Sequence, residues 1–293
     1  MKRILVTGAS GMLGSSLAIE LSKNYKVFGT GYSKISLPID YKVFDLKENS
    51  YKKLLDWSNP HIIIHCAALT DGNYCENNFK EAFNVNGFSV KKLIENSKES
   101  VKIIYISTDA VFSSELNMAK ENDCTGAESI YGKSKDLGEF FILNSNRNFL
   151  VLRTTIVGLN NFRIKSGFVE WIIDSIKNKK TITLFDDVLF TPITVWDLIK
   201  EIIYLIRNDN GESEILHICG SEDVTKYYFG ICLAKELNLE KQYIQKGSIS
   251  NFKERAKRSN DQTLDCSYYQ KKYNRILPKL SETIKSIKLN YDV

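Results

Sequence analysis

The sequence has no long hydrophobic run and little proline. No stretch approaches the roughly 18 consecutive apolar residues of a membrane-spanning helix. Only four prolines occur, and no proline-rich, serine-rich or repeated tract interrupts the chain, which argues against disordered segments. The apolar stretch after Lys2 and Arg3 contains three glycines and leads to Glu20, a pattern that does not fit a secretory signal peptide. The sequence therefore predicts a soluble protein with no membrane partner.

Paired cysteines and clustered basic residues are also missing. The six cysteines form no CxxC pair and have no histidine at ligand spacing, so we expect neither a metal site nor a disulfide framework, and a cytoplasmic location. The net charge is +5, but the lysines are spread over the whole chain and do not alternate with aromatic residues in any dense run. This distribution predicts a solvated surface and no nucleic-acid partner.

Short apolar runs of strand length alternate with amphipathic segments of helix length. Hydrophobic residues make up 43% of the 293 residues, enough for a large core. Near-continuous apolar strands are typical of a parallel sheet covered on both faces, so the pattern predicts an α/β fold with a doubly wound Rossmann-type sheet. Strands are predicted at 3–7, 26–30, 42–44, 61–66, 102–107 and 149–153, and helices at 12–23, 48–57, 79–97 and 130–144.

The pattern changes after about residue 155. Residues 1–155 are predicted to form the dinucleotide-binding and catalytic domain, and residues 156–293 a smaller lobe that mainly binds substrate. Later strands could complete the sheet, in which case the two lobes would interleave. The second part has predicted helices at 167–177, 195–206 and 225–237, strands at 181–185 and 215–219, and a mixed, lysine-rich tail.

The segment TGASGMLG follows the first predicted strand and opens the first helix. Gly8 would permit a tight turn, Gly11 would let backbone amides approach a pyrophosphate, and Gly14 would let the helix pack closely on the strand. The positive end of the helix dipole, with Met12 and Leu13 in the first turn, would then face the phosphates. The alternative is a glycine-containing turn that binds nothing, but the flanking strand and helix favour a dinucleotide.

The choice between NAD and NADP is predicted from the end of the second strand. An acid about 20 residues after the glycines would hold the ribose hydroxyls of NAD, and none is present. Ser33 and Lys34 instead offer a hydroxyl and a cation that suit a 2′-phosphate. NADP(H) is therefore the expected cofactor, with NAD as the alternative, although ordinary turn residues would look the same.

Further cofactor contacts are predicted at the ends of two other strands. Asp45 follows the third strand and is placed to accept a hydrogen bond from the adenine amino group, with Leu46 beside it. Ala67 and Ala68 follow the fourth strand, where small residues leave room for the cofactor. Both interpretations depend on the fold, since Asp45 alone would be an ordinary acid before a helix.

A tyrosine and a lysine follow the strand that ends in Ser107, Thr108 and Asp109. Tyr131 and Lys135 lie at the start of a predicted helix, where residues four apart share one face. The pairing alone is weak evidence, because the same spacing occurs at 268 and 272. Its position after the Ser-Thr strand end favours Tyr131.

Carbonyl reduction explains these residue types. Hydride delivered to the carbonyl carbon leaves charge on oxygen, so an acid must supply a proton, whereas a free tyrosine has a pKa near 10. A cation about 4 Å away contributes about 4 kcal/mol at an effective dielectric of about 20, so Lys135 is expected to bring the pKa of Tyr131 down toward neutral pH. Thr108 would hydrogen-bond the carbonyl oxygen and orient it.

The segments TGASGMLG, HCAALT, NVNG, ISTDAVF, YGKSK and RTTIVG occur in the order seen in extended short-chain dehydrogenases. The sequence most resembles the dTDP-4-dehydrorhamnose reductase family, because STDAVF is similar to that family's STDYVF segment. The resemblance is strong over the first two thirds of the chain and loose over the rest. It implies a catalytic triad of Thr108, Tyr131 and Lys135, a water-mediated hold of Asn86 on the lysine, and a sugar contact of Asp109.

Other positions carry the resemblance or depart from it. Arg258 lies in a segment similar to the one that closes over the nucleotide sugar, so it is implied to meet the diphosphate, a role that suits an arginine fork; the alternative is a solvated basic loop. Ser259 follows it where the family has proline, His65 and Cys66 replace the usual asparagine and alanine, and Ala110 replaces an aromatic residue. These departures bear on the sugar more than on the reaction.

The three histidines are interpreted as structural. His61, His65 and His217 lie in or beside apolar strands, where a hydrogen-bonded histidine is more common than a metal ligand or a base. No catalytic role is predicted for them.

The resemblance implies NADPH-dependent reduction of the 4-keto group of a nucleotide-diphospho-6-deoxy sugar used for cell-surface polysaccharide. A nucleotide-sugar epimerase or dehydratase on the same scaffold is one alternative, although a dehydratase usually has glutamate where Ala110 stands. A non-catalytic regulatory subunit that binds NADP is another, since the regulatory subunit of methionine adenosyltransferase resembles the same family. A homodimer is compatible with each.

Overall fold

The computed structural model describes residues 1–162, 166–251 and 259–291. The strands, in chain order, are β1 (Arg3–Thr7), β2 (Lys26–Gly31), β3 (Asp40–Val43), β4 (Ile62–His65), β5 (Lys102–Ile106), β6 (Phe149–Arg153), β7 (Ile156–Val157), β8 (Ile182–Phe185), β9 (Leu189–Phe190), β10 (Ile193–Thr194), β11 (Glu214–His217), β12 (Val224–Thr225), β13 (Ile244–Gly247) and β14 (Asp261–Gln262). The α-helices are α1 (Met12–Ser22), α2 (Tyr51–Ser58), α3 (Gly72–Asn77), α4 (Phe79–Ala82), α5 (Ser89–Asn96), α6 (Ile130–Leu143), α7 (Phe168–Lys177), α8 (Val195–Arg207), α9 (Lys226–Glu236), α10 (Ser267–Tyr273) and α11 (Leu280–Tyr291). A π-helix spans Phe83–Phe88, and single 3₁₀ turns span Asp109–Val111, Lys241–Tyr243 and Ile249–Asn251.

Seven parallel strands form the central sheet, in the order β11-β6-β5-β4-β1-β2-β3. Successive side chains of a strand point to opposite faces, and in β1 Ile4 and Val6 join a core with α1 and α8, whereas Leu5 joins a core with α2 and α5. The sheet is therefore covered on both faces, which explains the uninterrupted apolar runs. The predicted doubly wound α/β fold is confirmed.

The pairing register brings the carboxyl ends of neighbouring strands to one edge of the sheet. Thr7 of β1 pairs with Thr30 of β2 and with His65 of β4, and His65 pairs with Tyr105 of β5. The loops that follow these strands therefore begin side by side. Ligands of open α/β sheets bind at this edge.

The second part of the chain has a core of its own but also contributes to the main sheet. β8 pairs with β13, and β9 lies between β12 and β14, around the fully buried side chains of Phe190 and Phe229. β11 lies at the edge of the main sheet beside β6. The chain after residue 155 thus enters both lobes, and the domain boundary at that residue stays a prediction.

The helix predicted at 79–97 is divided into α4, the π-helix and α5. π-helical turns are rare in proteins, and those that occur are often located at functional sites. Here it carries the buried Asn86 and Gly87, at which an added Cβ would lie 2.7 Å from the Leu137 side chain of α6. The wider turn therefore packs directly on the helix that carries Tyr131.

The lysine-rich tail is more regular than predicted. It contains α10 and α11, and α11 buries Ile284 and Ile287 in the second core. No helix within the described ranges is long and apolar enough to cross a membrane.

Candidate active site

In the glycine loop after β1, backbone atoms pack against Gly8 and Gly14 and leave no space for a side chain at these two positions. Gly8 has φ +68°, and an added Cβ there would lie 2.6 Å from the backbone nitrogen of Ala67. At Gly14 a Cβ would lie 2.1 Å from the Gly8 carbonyl oxygen, so α1 can approach β1 only with glycine at this position. The predicted roles of these two glycines in the turn and in helix packing agree with this geometry.

The first turn of α1 offers free backbone amides. Gly11 is the N-cap and has no side-chain capping bond, and the space around it is open, with the nearest atom 3.4 Å from an added Cβ. The Leu13 side chain is buried in the core and Met12 is partly buried against it. Only their backbone could therefore meet a phosphate, which is the arrangement of dinucleotide-binding turns.

The end of β2 presents the two residues predicted to select NADP. Ser33 is half-buried, and its carbonyl oxygen accepts a hydrogen bond of 2.5 Å from the Tyr41 hydroxyl. Lys34 beside it is exposed. A hydroxyl and an exposed cation thus follow β2 directly after Gly31, at which an added Cβ would lie 2.5 Å from the Ser10 hydroxyl of the glycine loop; their role in binding a 2′-phosphate stays a prediction.

The ends of β3 and β4 lie at the same edge of the sheet. Asp45 is half-buried and accepts a hydrogen bond of 2.9 Å from the backbone of Lys47, while Leu46 is buried. Ala67 and Ala68 are partly exposed after β4. The close contact between Gly8 and Ala67 brings the two loops together, and the cofactor contacts of Asp45, Ala67 and Ala68 stay predictions.

Thr108 and Tyr131 come together at the end of β5. The Thr108 hydroxyl donates to Asp109 at 2.6 Å and lies close enough to the Tyr131 hydroxyl to lower the pKa of that phenol. Asp109 also accepts from Thr155 at 3.1 Å. Ser129 caps α6 by accepting from the backbone of Gly132, which fixes the first turn that carries the tyrosine. Two hydroxyl groups and a carboxyl group therefore meet at one point of the cleft.

The pKa of Tyr131 moves in the direction opposite to the prediction. Burial raises the pKa of this hydroxyl, and the nearby Thr108 hydroxyl offsets only part of the rise. Burial also lowers the pKa of Lys135, to about 7, so the lysine carries only part of a positive charge at neutral pH. The expected lowering by Lys135 is therefore wrong for this arrangement, in which Tyr131 is a neutral phenol.

Lys135 is held below the cleft. Its ammonium donates to the Ile106 carbonyl at 2.7 Å and lies 3.9 Å from the centre of the Tyr105 ring. One helical turn further, the buried carboxylate of Glu139 raises the pKa of Lys135 against the effect of burial. Arg153 donates to this carboxylate at 2.7 Å, an ion pair that sequence reasoning missed.

The side-chain amide of Asn86 is held by protein groups, and its water-mediated hold on Lys135 stays a prediction. Its amide oxygen accepts from the backbone of Leu69 at 2.7 Å, and its amide nitrogen donates to the Leu69 carbonyl and to the Ser134 hydroxyl. Both donors and the acceptor are therefore engaged. Its link to Lys135 runs through Tyr105, whose hydroxyl lies 3.2 Å from the carbonyl oxygen of Asn86 and 3.1 Å from that of Lys135.

The cleft beside Tyr131 has a volume of about 200 Å³ and is lined by residues of both lobes. Asp109 and Tyr131 lie on one side, and Ser259 and Gln262 on the other. Arg258, the predicted diphosphate contact, lies outside the described residues. Within the described ranges no three His, Cys, Asp or Glu side chains come together to hold a metal.

Lys226 is a site residue that sequence reasoning missed. It is the first residue of α9, and its ammonium lies 3.2 Å from the centre of the Phe190 ring. Its charge lowers the pKa of Asp109, which burial raises. No motif marks it, because its proximity to Asp109 depends on how the two lobes pack.

The second Tyr-Lys pair lies elsewhere. Tyr268 and Lys272 are on α10, and Lys272 forms ion pairs of 2.8 and 2.9 Å with Glu212 and Glu214. Neither residue lines the cleft beside Tyr131, which makes them useful controls.

Comparisons with known proteins give one family and several relatives. The family described as RmlD substrate binding domain matches residues 1–292. A spore coat polysaccharide biosynthesis protein, SpsK, of Bacillus subtilis (strain 168) is 28% identical over 82% of this chain and 81% of its own. Methionine adenosyltransferase 2 subunit beta of Danio rerio is 28% identical over 91% of this chain and 83% of its own. A dTDP-4-dehydrorhamnose reductase of Aggregatibacter actinomycetemcomitans is 28% identical over 82% and 81%.

Solved structures agree on the fold. A dTDP-4-dehydrorhamnose reductase from Bacillus anthracis str. Ames, in complex with NADP, has a TM-score of 0.88, 24% identity, and coverage of 99% of this chain and 100% of that one. Since the family matches almost the whole length, this chain belongs to the RmlD substrate binding domain family.

Proposed function

We propose that the protein is an NADPH-dependent reductase that converts the 4-keto group of a nucleotide-diphospho-6-deoxy sugar to a hydroxyl group. The observation that carries this proposal is the meeting of the Thr108 and Tyr131 hydroxyls in a cleft, with Lys135 one helical turn away on α6. The glycine loop lies at the same edge of the sheet. The relative named dTDP-4-dehydrorhamnose reductase supports this substrate class.

The residues present fit a dinucleotide. At Gly8 and Gly14 a Cβ would collide with backbone atoms, and the amides of the first turn of α1 have no side-chain cap. These amides would bind the pyrophosphate, and Ser33 with Lys34 would meet the 2′-phosphate of NADP(H). When bound, the reduced nicotinamide supplies the hydride.

The side chains at the end of β5 handle the proton and the sugar. Tyr131, a neutral phenol, donates its proton to the carbonyl oxygen as charge develops there. Thr108, whose hydroxyl donates to Asp109 in the free protein, would turn that donor to the same oxygen when the sugar binds. The resulting phenolate is stabilised by the ammonium of Lys135, whose charge is favoured once a negative charge stands nearby. Asp109 is placed to accept from a sugar hydroxyl, and Asn86 keeps the chain below the cleft in position.

The neutral tyrosine and the partly charged lysine are consistent with this direction of transfer. An acid must hold its proton until the transition state, and burial keeps the proton on Tyr131. A lysine with a pKa of about 7 can gain charge at little cost when the phenolate forms. The pair thus supports reduction at neutral pH.

A second candidate function is an NADP-binding regulatory subunit without catalysis. The similarity to methionine adenosyltransferase 2 subunit beta over 91% of this chain and 83% of that protein, at the same 28% identity as the reductase, favours it. The two proposals share the cofactor site and differ in turnover. Ala110 stands where a dehydratase usually has glutamate, which counts against a dehydratase, and an epimerase on the same scaffold stays an alternative.

Turnover separates the two. Purified protein with NADPH and a dTDP-4-keto-6-deoxy sugar should consume one NADPH for each sugar reduced, with the product identified by mass spectrometry. NADPH binding without consumption, together with copurification of a synthetase, would instead support the regulatory subunit. A cytoplasmic location and a homodimer remain predictions.

A further inference from the structure

His65, at the end of β4, is fully buried and hydrogen-bonded at both ring nitrogens. Nδ1 lies 2.7 Å from the Thr7 hydroxyl, and Nε2 lies 3.2 Å from the Ser89 hydroxyl. Burial, together with the charge of Lys135, lowers its pKa to about 3. The imidazole is therefore neutral at physiological pH, with one nitrogen as donor and the other as acceptor.

The neighbouring bonds fix which nitrogen carries the proton. Ser89 donates its hydroxyl proton to the Val85 carbonyl at 2.6 Å, so its oxygen is left to accept from His65, and Nε2 must be the donor. Nδ1 then accepts from the Thr7 hydroxyl. The Thr7 oxygen in turn accepts from the backbone amide of Ala67 at 3.4 Å. This assignment follows from the directions of the neighbouring hydrogen bonds.

The result is a chain of hydrogen bonds that all run in one direction. It begins at Ala67, in the loop against which Gly8 packs, passes through Thr7, His65 and Ser89, and ends at Val85 in the π-helix, next to Asn86. The His65 ring also stacks on Tyr105, with centroids 5.8 Å apart, and the ring of Tyr105 contacts the ammonium of Lys135. His65 therefore lies between the cofactor loop and the elements that hold the lysine.

We propose that His65 is a positioning residue with two separable functions: its Nδ1 side holds the cofactor loop through Thr7, and its Nε2 side holds the π-helix that carries Asn86. The proposal rests on the proposed function, because it assigns the loop at Ala67 to NADP(H). Neither function requires His65 to touch the cofactor or the sugar.

Two substitutions separate the two sides of the ring. In His65→Asn the side-chain amide reaches the place of Nδ1 and can accept from Thr7, but it cannot reach Ser89. In His65→Gln the amide reaches the place of Nε2 and can donate to Ser89, but it offers nothing to Thr7. The exposed His61, whose ring accepts from the backbone of Arg3 at 2.9 Å, provides the control His61→Gln.

The expected results are opposite for the two variants. His65→Gln should weaken NADPH binding by about tenfold, the scale of one lost buried hydrogen bond, while kcat at saturating NADPH stays within about twofold. His65→Asn should keep NADPH affinity within about twofold and lower kcat by about tenfold, because the support of Asn86 is lost. Equal changes in NADPH affinity and in kcat in both variants would overturn the proposal, because loss of a merely structural histidine would lower both quantities in each variant.

The tautomer is tested on the unaltered protein, whatever the variants do to folding. Nitrogen-15 NMR of the imidazole should show a protonated Nε2 and an unprotonated Nδ1 across the range from neutral pH to about pH 5. A protonated Nδ1 would overturn the proposal. If the wild-type protein bound no NADPH, the proposed function would fail instead, and the tautomer would still decide the bond directions.

Discussion

Arg153 and Glu139 form an ion pair of 2.7 Å that is almost completely shielded from water, with side chains 3% and 1% exposed. Glu139 also accepts a hydrogen bond from Ser107, so the pair joins α6 to the ends of β5 and β6. It lies one helical turn from Lys135. The rigidity of the catalytic helix therefore depends on charges that no solvent stabilises.

Removing one partner of this pair should be costly. Arg153→Met leaves the Glu139 carboxylate buried without its cation, which we expect to lower the free energy of unfolding by about 3–5 kcal/mol. Urea unfolding measures the change. Lys52→Met breaks an exposed ion pair with Asp56 and should cost less than about 1 kcal/mol. Similar losses in the two variants would contradict the buried role of Arg153.

The two buried histidines make stability depend on pH. Burial lowers the pKa of His65 and of His217 from 6.5 to about 3, so between these values the unfolded chain binds protons that the folded chain does not. Each histidine should then lower the free energy of unfolding by about 1.4 kcal/mol per pH unit as the pH falls below 6.5. The contribution of each histidine to stability is fully present above pH 6.5, the pKa of histidine in the unfolded chain.

Urea unfolding at several values between pH 7.5 and 5 would measure this slope. In His65→Gln about half of the slope should remain, whereas the exposed His61→Gln should leave it unchanged. A free energy of unfolding that does not change over this range would show that these histidines are not buried as neutral groups.

Cofactor preference tests the end of β2. With Ser33 and Lys34 after β2, NADPH should bind more tightly than NADH. Lys34→Ala should reduce the ratio of the two dissociation constants by about tenfold, because it weakens the binding of NADPH only. Fluorescence titration gives both dissociation constants. Lys23→Ala, an exposed lysine on the far end of α1, is the matched control. Equal affinities of the wild-type protein for NADPH and NADH would contradict the proposed role of Ser33 and Lys34.

Lys226 is expected to act through Asp109. Lys226→Met keeps a long side chain over Phe190 but removes the charge that lowers the pKa of Asp109. The KM for the nucleotide sugar should rise by about threefold to tenfold, and the acid limb of kcat/KM should move to higher pH, because the carboxyl then ionises at a higher pH. In an Asp109→Asn background the same substitution should have no further effect.

Lys177→Met is the control for this lysine, since Lys177 also lies over an aromatic ring, that of Tyr291, on the second lobe. A rise in KM that persists in the Asp109→Asn background would mean that Lys226 binds the substrate directly.

The sequence predicted what depends on local pattern. The strands of the main sheet, the glycine loop at Gly8 and Gly14, and the placement of Thr108 and Tyr131 follow from apolar runs and motif spacing, and the structure brings them to one edge. The roles of the individual site residues stay predictions until they are measured.

What the sequence missed depends on tertiary contacts. The π-helix carries Asn86, whose side-chain amide bonds to Leu69 and Ser134, and both partners are distant in sequence. The charge on Lys226 matters only because the lobes bring it near Asp109. The pKa of Tyr131 was predicted from an isolated charge pair, whereas burial of both members decides it.

The most direct test of the account is the rate of NADPH oxidation with a dTDP-4-keto-6-deoxy sugar, compared between the wild-type protein and Tyr131→Phe. We expect turnover to fall by at least about a hundredfold, the scale of a general acid, with NADPH affinity and folding nearly unchanged. Tyr268→Phe, in the second Tyr-Lys pair, should keep the wild-type rate. Reduction at the wild-type rate by Tyr131→Phe would contradict the proposed mechanism.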